Sequence, residues 1–313
     1  MKAIDEGLGP GSVESAFAAC SEDVRVRARN FWYGLRLLPP ERFRALCAIY
    51  AWMRRADDLA DEDAPGISIQ ARRDALDRFR NCTHRVFSGR SPEAHPAEEG
   101  HIWLAMGHVV MGHELDLVDF DLMIDGQLAD LEPRVITDVD ELLQYCDQVA
   151  STVGRTCVRI WGASSPEALR MSSERGVAFQ LTNILRDVRE DHGRGRVYLP
   201  ADLLARHELD VEGLLAWRDD ARCRRVVGEI ASMAREGYRR SAALDDLIEP
   251  DCRPTSWAMT TIYRSLLEKI AHRPRLLAGT GRVRLSSLRK AAIALRARRF
   301  AWYRTGERGV TVE

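Results

Sequence analysis

The stretch Phe43-Arg44-Ala45-Leu46-Cys47-Ala48-Ile49-Tyr50-Ala51-Trp52-Met53-Arg54-Arg55-Ala56-Asp57-Asp58-Leu59-Ala60-Asp61 decides how this chain is read. From Phe43 to Met53 it is apolar but for Arg44, as a buried helix is, and it ends in aspartates. One face runs Leu46, Tyr50, Met53, Asp57, Asp61, a spacing that keeps side chains on one side of an α-helix. A second stretch, Gln180-Leu181-Thr182-Asn183-Ile184-Leu185-Arg186-Asp187-Val188-Arg189-Glu190-Asp191, repeats the design. There Gly176, Gln180, Asn183, Asp187 and Asp191 share a face. Each helix thus offers an apolar or small-residue face that turns, at one end, into carboxylates. Two such helices facing each other enclose a greasy pocket with an acidic mouth. That suits a substrate with a hydrocarbon tail and a diphosphate head.

Bare aspartates repel diphosphate, so the carboxylates need a cation. Mg²⁺ is a hard ion that bridges carboxylates to substrate phosphates, and two opposed pairs can hold several such ions. Bound there, it stabilises the charge that departs when a C–O bond breaks. Asn183, one turn before Asp187, adds a neutral oxygen, and Arg54 and Arg186 are placed to grip phosphate directly. Zinc fits poorly, because no Cys or His pair stands at ligand spacing beside either cluster, and His108 and His113 are wrongly spaced for one helical face. The plainer reading of each cluster is a solvated helix end with charge pairs. Two clusters of one design, the first ending a buried run, favour the functional reading.

These residues resemble the squalene/phytoene synthase family. The resemblance lies in Asn30-Phe31-Trp32-Tyr33-Gly34-Leu35-Arg36-Leu37-Leu38-Pro39, in Ala48 to Asp58, and in Tyr145-Cys146-Asp147-Gln148-Val149-Ala150-Ser151-Thr152-Val153-Gly154. It is strongest from Gln180 to Asp191 and on to Arg196-Val197-Tyr198-Leu199-Pro200, and it spans about residue 25 to about 300. It implies an all-α bundle of the class I isoprenoid synthase type with a central cavity. It also implies Mg²⁺-dependent head-to-head condensation of two allylic prenyl diphosphates through a cyclopropylcarbinyl diphosphate. Proton loss then gives phytoene, or hydride from NADPH gives squalene. By the same resemblance Asp57, Asp61, Asp187 and Asp191 bind metal, with Asp58 beside the first pair. Arg54, Asn183 and Arg186 match positions that contact metal or diphosphate, and Tyr50 and Tyr198 match tyrosines near the reacting centre. The chain departs from many relatives before the first aromatic pair, where serines are replaced by Ala28, which cannot donate a hydrogen bond, and Asn30, which can. Asn30 is therefore a diphosphate-binding candidate and Ala28 is not. The segment Leu122 to Gln127 also fits the family pattern, or serves only to order a loop.

Composition agrees with an enzyme of this kind. The 313 residues carry a net charge of −1, so no global basic field points to nucleic acid. Lysine occurs only at Lys2, Lys269 and Lys290, which leaves 43 of the 46 basic residues as arginine. Seven scattered cysteines with no CxxC read as reduced thiols of a cytoplasmic protein. No signal-peptide core precedes residue 11, and no apolar run is long enough to span a bilayer. Helical periodicity covers about 68–88, 98–128, 137–162, 165–190, 219–248, 252–277 and 283–304, and strand signals are absent. One catalytic domain is expected over 15–304, with flexible tails over 1–14 and 305–313. Gly193-Arg194-Gly195-Arg196 ends the second acidic helix, either as a mobile flap or as a plain turn.

The arginine-rich segment Arg282 to Arg304 reads first as a helix packed on the bundle. Peripheral contact with an anionic membrane is the alternative. Other class I ionising enzymes fit less well. A cyclase needs an Asn/Asp-x-x-Ser/Thr-x-x-x-Glu motif where this chain has Asn183, Arg186-Asp187 and Asp191, and a chain elongase needs a second Asp-Asp-x-x-Asp. A non-catalytic relative would have lost the metal carboxylates, and all four are present. Met53 to Asp58 and Val149 to Gly154 look closer to phytoene synthases than to squalene-forming members, which favours a C20 donor over a C15 one. Trp32, Phe43, Trp52 and Phe179 are candidates for setting cavity depth.

Overall fold

The computed structural model describes residues 10–28, 31–61, 67–92 and 95–306, with side chains placed from residue 12 to residue 298. The first half runs α1 (Pro10–Arg27), α2 (Trp32–Leu35), α3 (Pro40–Asp61), α4 (Ile69–Phe87), α5 (Gly100–Gly112), α6 (Leu117–Ala129), α7 (Val139–Cys146) and α8 (Thr152–Ile160). The second runs α9 (Pro166–Gly193), α10 (Ala201–Arg206), α11 (Val211–Leu215), α12 (Asp220–Arg240), α13 (Leu244–Leu247), α14 (Arg253–His272) and α15 (Ser287–Gly306). Short polar side chains start many of them: Ser68, Asp138, Ser165 and Asp219 each accept a hydrogen bond from a first-turn amide. Pro166, just inside α9, adds a pre-set φ.

Two apolar clusters make up the core. The first joins α1, α3, α4, α5, α6 and α8 around Trp52, Phe79, Trp103 and Phe120, whose rings meet edge-on or tilted at 4.7–5.3 Å. The second joins the later turns of α9 to α12 and α14 around Leu181, Leu185, Ile230 and Leu267, all fully or almost fully buried. Phe31 and Phe179 pack against both clusters, and the space between the two is the cavity described below.

Several expectations need correcting. The helix expected over 98–128 is two, because the chain breaks after Gly112 and restarts where Asp116 caps α6. Leu122 to Gln127 lies inside α6, so it orders no loop. Helix α1 was not foreseen, and it reaches back to Pro10, into the expected tail, where Glu14 bonds Arg44 at 2.7 Å. The described residues also hold one strand pair: β1 (Arg134–Val135) lies parallel to β2 (Arg196–Val197). Two residues per strand carry no alternation that a sequence could display, yet the pairing fixes where Arg196 and Tyr198 stand.

One local irregularity bears on the site. Between α7 and α8, Asp147–Ser151 forms a π turn, and its Val149 and Ala150 face the cavity. π turns are rare and often mark functional places. Here the widened turn lies against α9, where a Cβ on Gly176 would stand 2.5 Å from the Ala150 carbonyl oxygen. Only glycine permits that backbone approach.

Candidate active site

A cavity of about 480 Å³ lies between the clusters. Both sequence faces line it in full: Leu46, Tyr50, Met53, Asp57 and Asp61 from α3, and Gly176, Gln180, Asn183, Asp187 and Asp191 from α9. Lining residues on α9 run from Ser172 to Asp191, about 28 Å at 1.5 Å per residue. The carboxylates sit at one end. The other is walled by Trp161, Leu244 and Arg175, whose buried guanidinium is satisfied by Asp245 at 2.6 Å and Ser256 at 2.8 Å. Trp52 and Phe179 face the cavity as expected, but Trp32 and Phe43 do not: they pack on each other, centroids 6.0 Å apart. Steps along one helix face predicted what points inward, whereas lone aromatics outside those faces had no such register.

At the mouth the four cavity carboxylates have different surroundings. Asp187 is gripped by two guanidinium groups, Arg186 at 2.8 and 2.5 Å and Arg282 at 2.5 Å to each oxygen. Burial alone would raise Asp187, but the two arginines outweigh it and hold the carboxyl below its ordinary range. Burial likewise works against the charge of Arg186, yet its bonds to Asp187 carry its pKa upward. Asp61 receives Arg194 at 2.8 Å and Arg196 at 3.0 Å. These two arginines flank Gly195, whose φ of +75° turns the chain back after α9. The Gly193–Arg196 segment is thus a turn that ties α9 to α3.

Asp57 and Asp191 have no such partners. Asp57 accepts a bond from Gln127 Nε2 at 2.6 Å, while Arg54 stands 3.8 Å away. Its side chain keeps 41 % of its surface open, and it opens onto the cavity. That open surface faces the cavity rather than bulk water, and the desolvation pushes Asp57 up to about 7, with Asp61, Asp58 and Asp130 pushing the same way against Arg54. Burial also pushes Asp191 up to about 7, helped by Asp187 and Glu190. Asn183 Oδ1 is buried without a hydrogen-bond partner, and so is Arg54 Nε. A crowded set of oxygens with an unsatisfied carbonyl fits a hard divalent cation, and an unsatisfied guanidinium N–H fits a phosphate oxygen. Among the described residues no three His, Cys, Asp or Glu side chains form a group that could hold an ion alone. Ligands from a substrate would have to complete the shell.

Asp58 is not among the cavity-lining residues. Arg54 at 2.7 Å and Arg27 bind its carboxylate, so it serves to orient Arg54. Asn30 lies outside the described residues, whereas Ala28 is buried. Tyr50 lines the cavity, its phenol pushed up to about 12 mainly by burial. Tyr198 stacks on Tyr145 with centroids 4.6 Å apart, and Tyr145 donates to Asp130 Oδ2 at 3.1 Å. Burial, with Asp130 adding to it, raises both phenols, which keeps them protonated.

Gln127, Asp130, Tyr263, Arg194, Arg196 and Arg282 were missed as site residues. Tyr263, on α14, stacks on Phe179 with centroids 4.3 Å apart. Gln127 sits one turn before Asp130 on one side of α6, a spacing that was available. Arg282 carried no signal, being one arginine among 43, 95 residues from the aspartate it binds. All seven cysteines are free and none sits among the mouth carboxylates. No helix among the described residues is long and apolar enough to cross a membrane.

Comparisons with known proteins agree with this geometry. The squalene/phytoene synthase profile matches residues 24–289. A phytoene synthase of Mycobacterium tuberculosis is 34% identical over 290 residues, 91% of each chain. One from Arthrospira platensis is 31% identical over 274 residues, 83% of this chain and 85% of that one. Among solved structures, a dehydrosqualene synthase superposes with a TM-score of 0.80 at 24% identity, over 93% of this chain and 98% of that one. The squalene synthase HpnC from Alicyclobacillus acidocaldarius gives 0.75 at 23% identity, over 84% and 96%. The fold is therefore the all-α fold of those synthases, and the chain belongs to the squalene/phytoene synthase family.

Proposed function

We propose that this chain is a prenyltransferase that joins two molecules of geranylgeranyl diphosphate head to head and releases phytoene. The observation that carries the reading is the long apolar cavity whose mouth holds an Asp57/Asp61 pair and an Asp187/Asp191 pair. The phytoene synthase names of relatives at 31–34% identity support the C20 donor.

In this reading Asp57, Asp61, Asp187 and Asp191, with Asn183 Oδ1, hold Mg²⁺. Bound there, Mg²⁺ would neutralise the diphosphate and stabilise the charge it takes away on ionisation. Arg54 and Arg186 would orient the phosphate oxygens, and Arg282, bonded to Asp187, adds a further cation beside them. Phe179 and Tyr263, stacked on each other, both line the cavity, where ring quadrupoles favour a cation. The apolar walls exclude water, which would otherwise quench the carbocation. Tyr145 and Tyr198 stay protonated, so neither offers a phenolate to trap it. Seven free cysteines, six of them buried, support the cytoplasm as the place of work.

The test is a product assay with purified protein, Mg²⁺ and either geranylgeranyl or farnesyl diphosphate, with and without NADPH, read by mass spectrometry. Phytoene from the C20 donor without NADPH is the expected result. Presqualene diphosphate or squalene from the C15 donor would overturn the donor assignment and leave the site intact. No coupled product from either donor would overturn the synthase reading and point to a non-catalytic relative.

A further inference from the structure

A second pocket lies behind α3, on the far side from the cavity. Its volume is about 380 Å³, and it opens between α3, α4 and the turn before α5. On α3 it is lined by Arg55 and Leu59. At about 100° per residue both stand about 160° away from Asp57, so they occupy the back of the helix whose front carries the first carboxylate pair. No described residue lines both spaces. The floor is apolar: Leu59, Phe79 and Cys82 are buried, and Ala75 of α4 adds a short side chain that leaves the space open.

The polar lining is cationic. Glu99 is the one acidic residue among the described lining, and both its oxygens are occupied. Arg55 Nε donates to one at 2.7 Å and Trp103 Nε1 to the other at 3.2 Å. Buried Glu99 thus fixes the Arg55 guanidinium by one edge. The two terminal nitrogens of Arg55 have no hydrogen-bond partner among the described residues. Arg78, exposed on α4, has neither a hydrogen bond nor an ion pair among them. Arg80, two residues on, holds Asp125 at 2.5 Å. A plain solvated groove does not account for Glu99, because a carboxylate taken out of water costs free energy that its fixed partners must offset. Here that carboxylate aims a guanidinium over an apolar floor. Apolar walls with a few placed polar groups are the general form of a small-molecule site. Two open guanidinium groups, with no open carboxylate beside them, suit the paired oxygens of a phosphate.

We infer that this pocket binds a phosphate monoester with a short hydrocarbon body, its phosphate met by Arg55 and Arg78 and its chain lying against Leu59, Ala75 and Phe79. Arginines rather than carboxylates face the phosphate, so this site needs no metal ion. That separates it from the mouth of the cavity, where four aspartates would repel a phosphate unless a cation came between. The inference does not rest on the reaction proposed above, since the two spaces share no lining residue.

The experiment is hydrogen-exchange mass spectrometry of the full chain with about 1 mM octyl phosphate in EDTA, a concentration that detects even weak binding. Slower exchange is expected over 67–82 and 95–103 and no change over 176–191, with inorganic phosphate at the same concentration giving no effect. Ala75→Trp, which fills the pocket, should abolish that protection. By calorimetry, Arg78→Glu should weaken octyl phosphate binding at least about tenfold. Arg78→Gln should weaken it about fivefold, and because it alters only an exposed side chain it keeps the test valid if the tryptophan variant unfolds. Protection confined to 176–191 would overturn the inference by placing the ligand in the cavity. Equal protection by inorganic phosphate would overturn it by showing that the apolar walls contribute nothing. No protection in any segment, or unchanged binding in every folded variant, would overturn it as well.

Discussion

The two carboxylate pairs at the cavity mouth look alike in sequence and differ in their surroundings. Each contains one aspartate neutralised by arginine and one left among like charges. Asp187 is held by Arg186 and Arg282, and Asp61 by Arg194 and Arg196. Asp57 and Asp191 are both raised to about 7, chiefly by burial. The neutralised members hold the loops after α9 and before α15 in place. The raised members mark where positive charge is missing, and that is where a divalent ion would gain most.

The largest test of this division is loss of activity. Asp57→Asn or Asp187→Asn should lower Mg²⁺-dependent diphosphate release about 10²–10³-fold, measured as phosphate after pyrophosphatase treatment. Near-wild-type release would break the account of both pairs at once.

Stability separates the two kinds of aspartate. Asp187→Asn should lower the melting temperature of metal-free protein, because it leaves Arg186 buried beside Arg282 without a counter-charge. Asp191→Asn should raise it by a few degrees at pH 8, because it removes a carboxylate that folding forces among like charges. Shifts of the same sign in thermal melts would erase the distinction.

The pH dependence follows from the same contrast. Asp57 and Asp191 have folded pKa values near 7, above the ordinary 3.8, so the folded state binds more protons between those values. Their contribution therefore makes metal-free protein less stable as pH rises through that window. Asp187 is shifted the other way, and the stability it adds is lost only as pH falls below the ordinary carboxylate value. In the proposed reading Mg²⁺ would replace the protons on the raised pair. The rise in melting temperature caused by Mg²⁺ should thus be larger at pH 8 than at pH 6, and an equal rise at both would contradict the assignment.

The smallest expected effect belongs to Gln127→Leu. It removes the amide that donates to Asp57 at 2.6 Å while keeping the bulk of the side chain. About a fivefold loss in apparent Mg²⁺ affinity is expected, in line with the loss of one hydrogen bond worth about 1 kcal/mol net. No change would mean that Gln127 only packs.

What the sequence made legible is bounded by the reach of a helix. Every residue that spacing picked out along α3 and α9 lines the cavity, because the register of one helix is a local property, though Ile49 and Ala56 on α3 and Ser172 and Ile184 on α9 line it as well. The all-α class was legible for the same reason. The break between α5 and α6 was missed although Asp116 stands at the cap, since the apolar run on both sides looked continuous. Arg194 and Arg196 were seen only as a turn, and Arg282 only as part of a basic segment, because their partners come from other helices. Asp58 was grouped with Asp57 by adjacency, but neighbours on a helix point about 100° apart, and Asp58 turns to Arg27 and Arg54.

The central claim is that the two pairs form one diphosphate site that works through a divalent ion. Calorimetric titration of inorganic diphosphate into the protein, with and without Mg²⁺, tests it most directly. The account predicts binding that needs Mg²⁺ and disappears in both Asp57→Asn and Asp187→Asn. Diphosphate bound equally well without Mg²⁺, or with Mg²⁺ in both variants, would show that the arginines alone make the site and would contradict it.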